Sequence, residues 1–175
     1  MYILFALLIF SVFINYRLFK INAQYKDALP FFIRGERIDY LALQSTDEHA
    51  PGLIGLPDNS LSILYIFSRP CTPCDKNLIY LKKFARLLDE SVVMRGIVVG
   101  NLSEGYEFTQ KANPGFAIFV PEDLNRFVKE YRLKFNHSQF IVCLGCEISF
   151  VKTGEFSDEE FIRIFNMIRT MKREV

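Results

Sequence analysis

The chain has no tryptophan, only two histidines and only four cysteines among its 175 residues. Four cysteines are too few for a disulfide-stapled scaffold of this length. An excess of charge is missing as well: 21 Lys and Arg stand against 20 Asp and Glu, a net charge of +1. Nothing global therefore argues for nucleic acid or for acidic ligands, and the scattered cations read as solvated faces. No internal repeat or low-complexity tract is found. What is present is apolar: hydrophobic residues make up 50% of the chain, with 18 Phe among them. That composition belongs to a packed globular protein rather than a disordered one, and the length is that of one domain.

The cysteines form two Cys-x-x-Cys pairs, Cys71 with Cys74 and Cys143 with Cys146. Such regular spacing implies pairwise chemistry, either redox or metal. The first pair lies in the stretch from Leu61 to Leu88, LSILYIFSRPCTPCDKNLIYLKKFARLL, which reads as an apolar strand, a short turn and a helix. At such a junction the first thiol sits over the unpaired N–H groups at the positive end of the helix dipole. That environment favours the thiolate, the reactive form. A buried or metal-held pair is the alternative reading of the spacing.

Ahead of this stretch, residues Tyr2 to Tyr16 carry no charge, and only Ser11 and Asn15 are clearly polar. With Leu18, Phe19 and Ile21 they give a hydrophobic segment of roughly 20 residues, the length of a membrane span. No small-residue cleavage site follows, so residues 1–21 read as an uncleaved anchor, with a buried core helix as the alternative. Residues 22–29 form a linker and 30–175 the folded domain. Arg17, Lys20 and Lys26 all follow the span, which by the positive-inside bias would leave the domain in the cytoplasm.

Two short extended pieces are expected at Phe31 to Ile33 and Arg37 to Leu43, turned at Gly35, then a loop over HAPGLIGLPDNS that contains His49, to which no role is given. Leu61 to Phe67 reads as a buried central strand. Leu78, Leu81, Phe84 or Ala85, and Leu88 mark the apolar face of the following helix, with Lys76, Lys82, Lys83 and Arg86 on its wet side and Pro73 in its first turn. Next come a strand at Val92 to Val99, a helix capped by Ser103, a strand at FAIFV and a helix opened by Pro121-Glu122-Asp123. Strand and helix alternate here, which implies a parallel sheet with right-handed crossovers. The end differs: Gln139 to Cys143 and Glu147 to Lys152 make a hairpin turned at Leu144-Gly145, and the Ser157-x-x-Glu160 capping box opens a final amphipathic helix.

This order of elements around CTPC resembles the thioredoxin fold: α/β, with a central mixed sheet flanked by helices, here behind an amino-terminal transmembrane helix. The βα insertion from about Ser103 to Val120 and the anchor narrow the resemblance to the membrane-tethered TlpA/ResA-type thiol-disulfide oxidoreductases. The resemblance implies that Cys71 is the exposed nucleophile and Cys74 the resolving thiol. It implies protein dithiols or disulfides as partners, no required cofactor, a single-pass membrane location through residues 2–21, and a domain on the extracytoplasmic or periplasmic face. Arg69 and Lys76 are placed to favour a thiolate.

Three positions depart from that pattern. Pro70 stands where an aromatic residue often precedes the first cysteine, Tyr65 matches the buried carboxylate of thioredoxins, and His137 of FNHSQFIV takes the place of the cis-proline facing the dithiol. An imidazole there suits two thiolates as a metal site. Asn136-His137-Ser138 is similar to the metal-histidine context of the Sco-type copper proteins, although those space their cysteines one residue wider. The alternative function is therefore copper binding or delivery through Cys71, Cys74 and His137. Cys143 and Cys146 flank the expected hairpin turn. Directly opposed residues there lie about 5.5 Å apart, within disulfide range. A second redox pair, a cross-hairpin disulfide and half of a zinc knuckle all stay open, and the pair is read as structural or secondary.

Overall fold

The structure, a computed structural model, describes residues 11, 13–17, 32–47, 53–56, 60–69, 71–131 and 138–173. Seven strands build one mixed sheet in the order β2-β1-β5-β4-β3-β6-β7. They are β1 (Tyr40–Ser45), β2 (Leu53–Gly55), β3 (Leu61–Ser68), β4 (Val92–Val99), β5 (Ala117–Pro121), β6 (Gln139–Leu144) and β7 (Glu147–Thr153). Four helices connect or close them: α1 (Thr72–Leu87), α2 (Leu102–Ala112), α3 (Leu124–Glu130) and α4 (Asp158–Arg173). β3, β4 and β5 run parallel, as the alternation of strands and helices requires, and β1, β6 and β7 join antiparallel.

Every residue of β3 is buried, which explains its nearly continuous apolar sequence: a central strand covered on both faces has no wet side. Its side chains alternate between two cores. Leu61, Ile63, Tyr65 and Phe67 pack with Leu81 and Phe84 of α1, Phe108 of α2, and Phe161, Ile164 and Ile168 of α4. Leu64 and Ile66 face the other core, with Phe127 of α3 and the segment carrying Phe32 and Ile38. Phe84, fully buried, meets the rings of Phe140 and Phe161 with centroids 5.0 and 4.6 Å away. Truncating such a ring to alanine costs about 3–5 kcal/mol.

Several boundaries differ from the expected ones. β1 begins at Tyr40, and Arg37 makes only an isolated bridge to Glu147. The Pro- and Gly-rich run expected to be a loop contains β2, which pairs with β1. Asn101, not Ser103, caps α2, because its side chain accepts the Glu104 N–H while the Glu104 carboxylate accepts the Asn101 N–H. Asp123 caps α3 and Pro121 ends β5. The capping box at Ser157 and Glu160 forms as expected. The last hairpin turns at Gly145-Cys146, one residue later than expected, since Leu144 pairs with Glu147. Gly145 takes φ 57°, a left-handed angle that glycine adopts freely.

The expected anchor falls largely outside the described residues; positions 11 and 13–17 are helical. Among the described residues no helix is long and apolar enough to cross a membrane.

Candidate active site

β3 ends at Ser68 and the chain enters α1 within a few residues, with Cys71 as the helix N-cap. The Cys71 backbone is extended, and its carbonyl oxygen accepts the N–H groups of Cys74 at 3.0 Å and Asp75 at 3.2 Å. Its sulfur also takes the Cys74 N–H at 3.2 Å, doing with a thiol what Ser or Asp usually does at this position. Cys71 and Cys74 are joined in a disulfide with Cα atoms 5.2 Å apart. Cys71 is 7% exposed and Cys74 1%, so the expected ranking is present, but the first sulfur is a recessed group rather than an open one.

The two cations expected beside the thiols are each engaged. Arg69 reaches Asp75 at 2.7 Å and lies over the Phe108 ring at 5.6 Å. Lys76 pairs with Glu155 at 3.0 Å. Pairing of this exposed kind neutralises much of each cation's field before it reaches the sulfurs.

Behind the disulfide lies a polar cluster that the sequence reading passed over. Asn77, fully buried one turn beyond Cys74, uses Nδ2 to reach the Gly154 carbonyl at 2.9 Å, the Tyr65 hydroxyl at 3.2 Å and Ser138 Oγ at 3.4 Å. Its Oδ1 accepts the Phe156 N–H at 2.8 Å. Burial pushes the Tyr65 phenol up to about 12, against the opposing hydrogen bonds from Ser138 and Asn77. Tyr65 therefore stays neutral. The signal was present in the sequence: Asn77 is a polar residue within the apolar stripe of Cys74, Leu78, Leu81 and Phe84.

Cys143 and Cys146 are not disulfide-bonded. The turn at Gly145-Cys146 sets Cys143 opposite Ile148, so the two cysteines are not the directly opposed pair that the expected turn would have made. Cys143 is fully buried, and burial, with a smaller contribution from Cys146, pushes its thiol up to about 12. The Cys146 thiol donates to the Leu56 carbonyl at 3.4 Å. The hairpin turn sits at the end of the sheet away from the disulfide, since Leu144 pairs with Leu61 at the start of β3.

His137 lies outside the described residues, as does His49. The three-donor set of the copper reading is thus not assembled from what is described. Among the described residues no three of His, Cys, Asp and Glu gather into a metal-binding group.

A mixed sheet with helices on both faces, and a Cys-x-x-Cys disulfide where a central strand meets a helix, define a thioredoxin-like fold. No family model and no curated protein sequence matches the chain. Solved structures do. The protein assigned as the thiol:disulfide interchange protein DsbE of Chlorobium tepidum superposes with a TM-score of 0.63 at 13% identity, over 79% of this chain and 97% of that one. StoA of Bacillus subtilis gives 0.54 at 18% identity, over 73% and 98%. PrxQ of Xylella fastidiosa, solved as a cysteine-to-serine mutant, gives 0.60 at 9% identity, over 81% and 98%. At these identities the likeness is one of fold.

Proposed function

We propose that this protein is a thiol-disulfide oxidoreductase that exchanges disulfides with partner proteins through Cys71 and Cys74. One observation carries the reading: the disulfide sits on the amino terminus of α1, with the Cys74 N–H already directed at the Cys71 sulfur. The same N–H and the helix dipole stabilise negative charge on that sulfur once the bond opens.

In the reducing direction, the Cys71 thiolate attacks one sulfur of a partner disulfide. That bond breaks, its electron pair leaves with the departing partner sulfur, and a mixed disulfide forms at Cys71. The Cys74 thiol, after losing its proton, attacks Cys71 and releases the partner's second sulfur as thiol, which closes the disulfide seen in the structure. Run backwards, the same steps oxidise a partner dithiol. The greater exposure of Cys71 makes it the sulfur that partners reach. No cofactor enters these steps; the electrons come from, or go to, another dithiol protein. Likeness to DsbE and StoA in fold supports the reading.

Cys74→Ser is expected to trap a covalent complex with the natural partner, resolved by non-reducing electrophoresis and released by dithiothreitol. If Cys71→Ser keeps reducing a protein disulfide at the wild-type rate, the assignment is wrong. Residues 2–21 are proposed as a membrane anchor holding the domain on the extracytoplasmic face; co-sedimentation with washed membranes tests the anchor, and labelling of reduced Cys71 in intact cells by an impermeant thiol reagent tests the face.

A further inference from the structure

Asn77 joins the helix that carries the dithiol to two other parts of the chain. Its amide holds Ser138 Oγ at 3.4 Å and the Gly154 carbonyl at 2.9 Å, and it accepts the Phe156 N–H at 2.8 Å. Gly154 N–H in turn donates to the Ser138 carbonyl at 3.0 Å. The sheet register explains why these parts matter to the site. Gln139 pairs with Ile66, so Ser138 stands level with Phe67, beside the end of β3 that continues into Cys71. The turn after β7 lies along the first turns of α1, where Lys76 and Glu155 pair at 3.0 Å with side chains 59% and 46% exposed. Tyr80 of the same helix adds a hydroxyl contact to Asp158 at 3.1 Å. Of these links only the one through Asn77 is buried, and a buried, saturated amide is the stiffest of them.

We propose that Asn77 is a positioning residue: it fixes the Ser138 and Gly154–Phe156 segments against the dithiol helix, and this frame lets the site favour disulfides in extended polypeptides over small disulfides. The inference rests on the exchange reaction proposed above. A small disulfide needs only to reach the Cys71 sulfur. A polypeptide must also lie against the surface beside it, and misplacement of that surface by a fraction of an ångström lowers the fraction of encounters with the sulfurs in line.

The test uses the full chain, reduced, with insulin as the polypeptide disulfide and hydroxyethyl disulfide as the small one. Second-order rates are compared for wild type, Asn77→Ala and Ser138→Ala. In Asn77→Ala the ratio of the insulin rate to the small-disulfide rate is expected to fall about tenfold. Ser138→Ala removes only one arm of the cluster and is expected to move the ratio the same way by less. Because it leaves Asn77 bonded to Gly154 and Phe156, it covers the case in which Asn77→Ala does not fold. An unchanged ratio in Ser138→Ala and in folded Asn77→Ala overturns the proposal. Amide hydrogen exchange supplies a readout independent of activity: residues 138–140 should lose protection relative to the centre of β4 in the folded Asn77→Ala protein, or in Ser138→Ala where that variant alone folds. Protection equal to wild type overturns the coupling. A wild-type protein that reacts with neither disulfide removes the functional reading, while the exchange data still decide whether Asn77 holds the frame.

Discussion

Cys71 and Cys74 stand where β3 passes into α1, and Cys143 and Cys146 stand where β6 turns back into β7, at the other end of the same sheet. The two pairs are separated by the length of β3, roughly 25 Å at the usual rise of a strand. Their spacing in sequence is identical, and their surroundings are opposite. At the first pair a helix begins, so backbone N–H groups are in surplus and one already points at sulfur. At the second, the Gly145 N–H of the turn donates to the Ser60 carbonyl, and the Cys146 carbonyl accepts the Ile38 N–H. The buried Cys143 thiol is pushed up, away from thiolate. A Cys-x-x-Cys spacing therefore says that two sulfurs are near each other; the backbone element beneath them decides whether either can carry charge.

The largest expected effect follows from that contrast. Cys71→Ser should reduce exchange with a protein disulfide to the background rate, whereas Cys146→Ser should keep it within about twofold of wild type, because nothing at the hairpin touches the reacting sulfurs. Equal losses in the two variants would erase the distinction.

Alkylation separates the pairs next. With burial pushing its thiol up to about 12, Cys143 of the reduced, folded protein holds far less thiolate than an unperturbed cysteine. Iodoacetamide near neutral pH should mark Cys71 first and leave Cys143 unmodified until denaturant is added, as read by mass spectrometry of peptides. Rapid labelling of Cys143 in the folded chain would contradict its burial.

A smaller effect is expected opposite Cys143. Ser62 pairs with it across β3 and β6, is fully buried, and its hydroxyl has no hydrogen-bond partner among the described residues. Ser62→Ala removes an unsatisfied polar group and should leave stability unchanged or raise it by up to about 1 kcal/mol, seen as a higher denaturant midpoint. A clear loss would show that the hydroxyl has a partner in solution.

How much of this could be read beforehand differs between the two ends in the same way. The strand, turn and helix around Cys71 were legible because three local signals agree there: an apolar run, Pro73 in a first turn and a helical stripe ending at Leu88. The hairpin end was legible only as a hairpin. Its turn falls at Gly145-Cys146, not Leu144-Gly145, and the pairing irregularity after Val142 went unread because a bulge has no single-residue signature. β2 was hidden for a related reason, since three residues in a Pro- and Gly-rich stretch become a strand only by pairing with β1. The cap expected at Ser103 falls at Asn101, which Glu104 at the third helical position already marks. Asn77 was missed because its partners Tyr65, Ser138 and Phe156 are distant in sequence. The anchor and His137 stand as sequence readings.

The smallest effect concerns the end of α1 away from the dithiol. Just past that end, Asp89 receives Lys172 of α4 at 2.7 Å. Hydrogen bonds from Lys172 and then from Ser91 pull its carboxyl from 3.8 down to about 2. A carboxylate whose folded value lies below its unfolded one contributes stability above the unfolded value and loses it as protons return. The contribution should thus be complete above about pH 5 and fade as pH falls through about 4 to 2. The pair is exposed, so added salt should weaken it. Urea midpoints of wild type and Lys172→Met are expected to differ near neutral pH and to converge over that acid window, while the Cys71–Cys74 disulfide, which does not titrate, leaves its own end of the helix indifferent to the change. A difference that persists unchanged at about pH 2 would mean that Lys172 acts through packing on α4 rather than through Asp89.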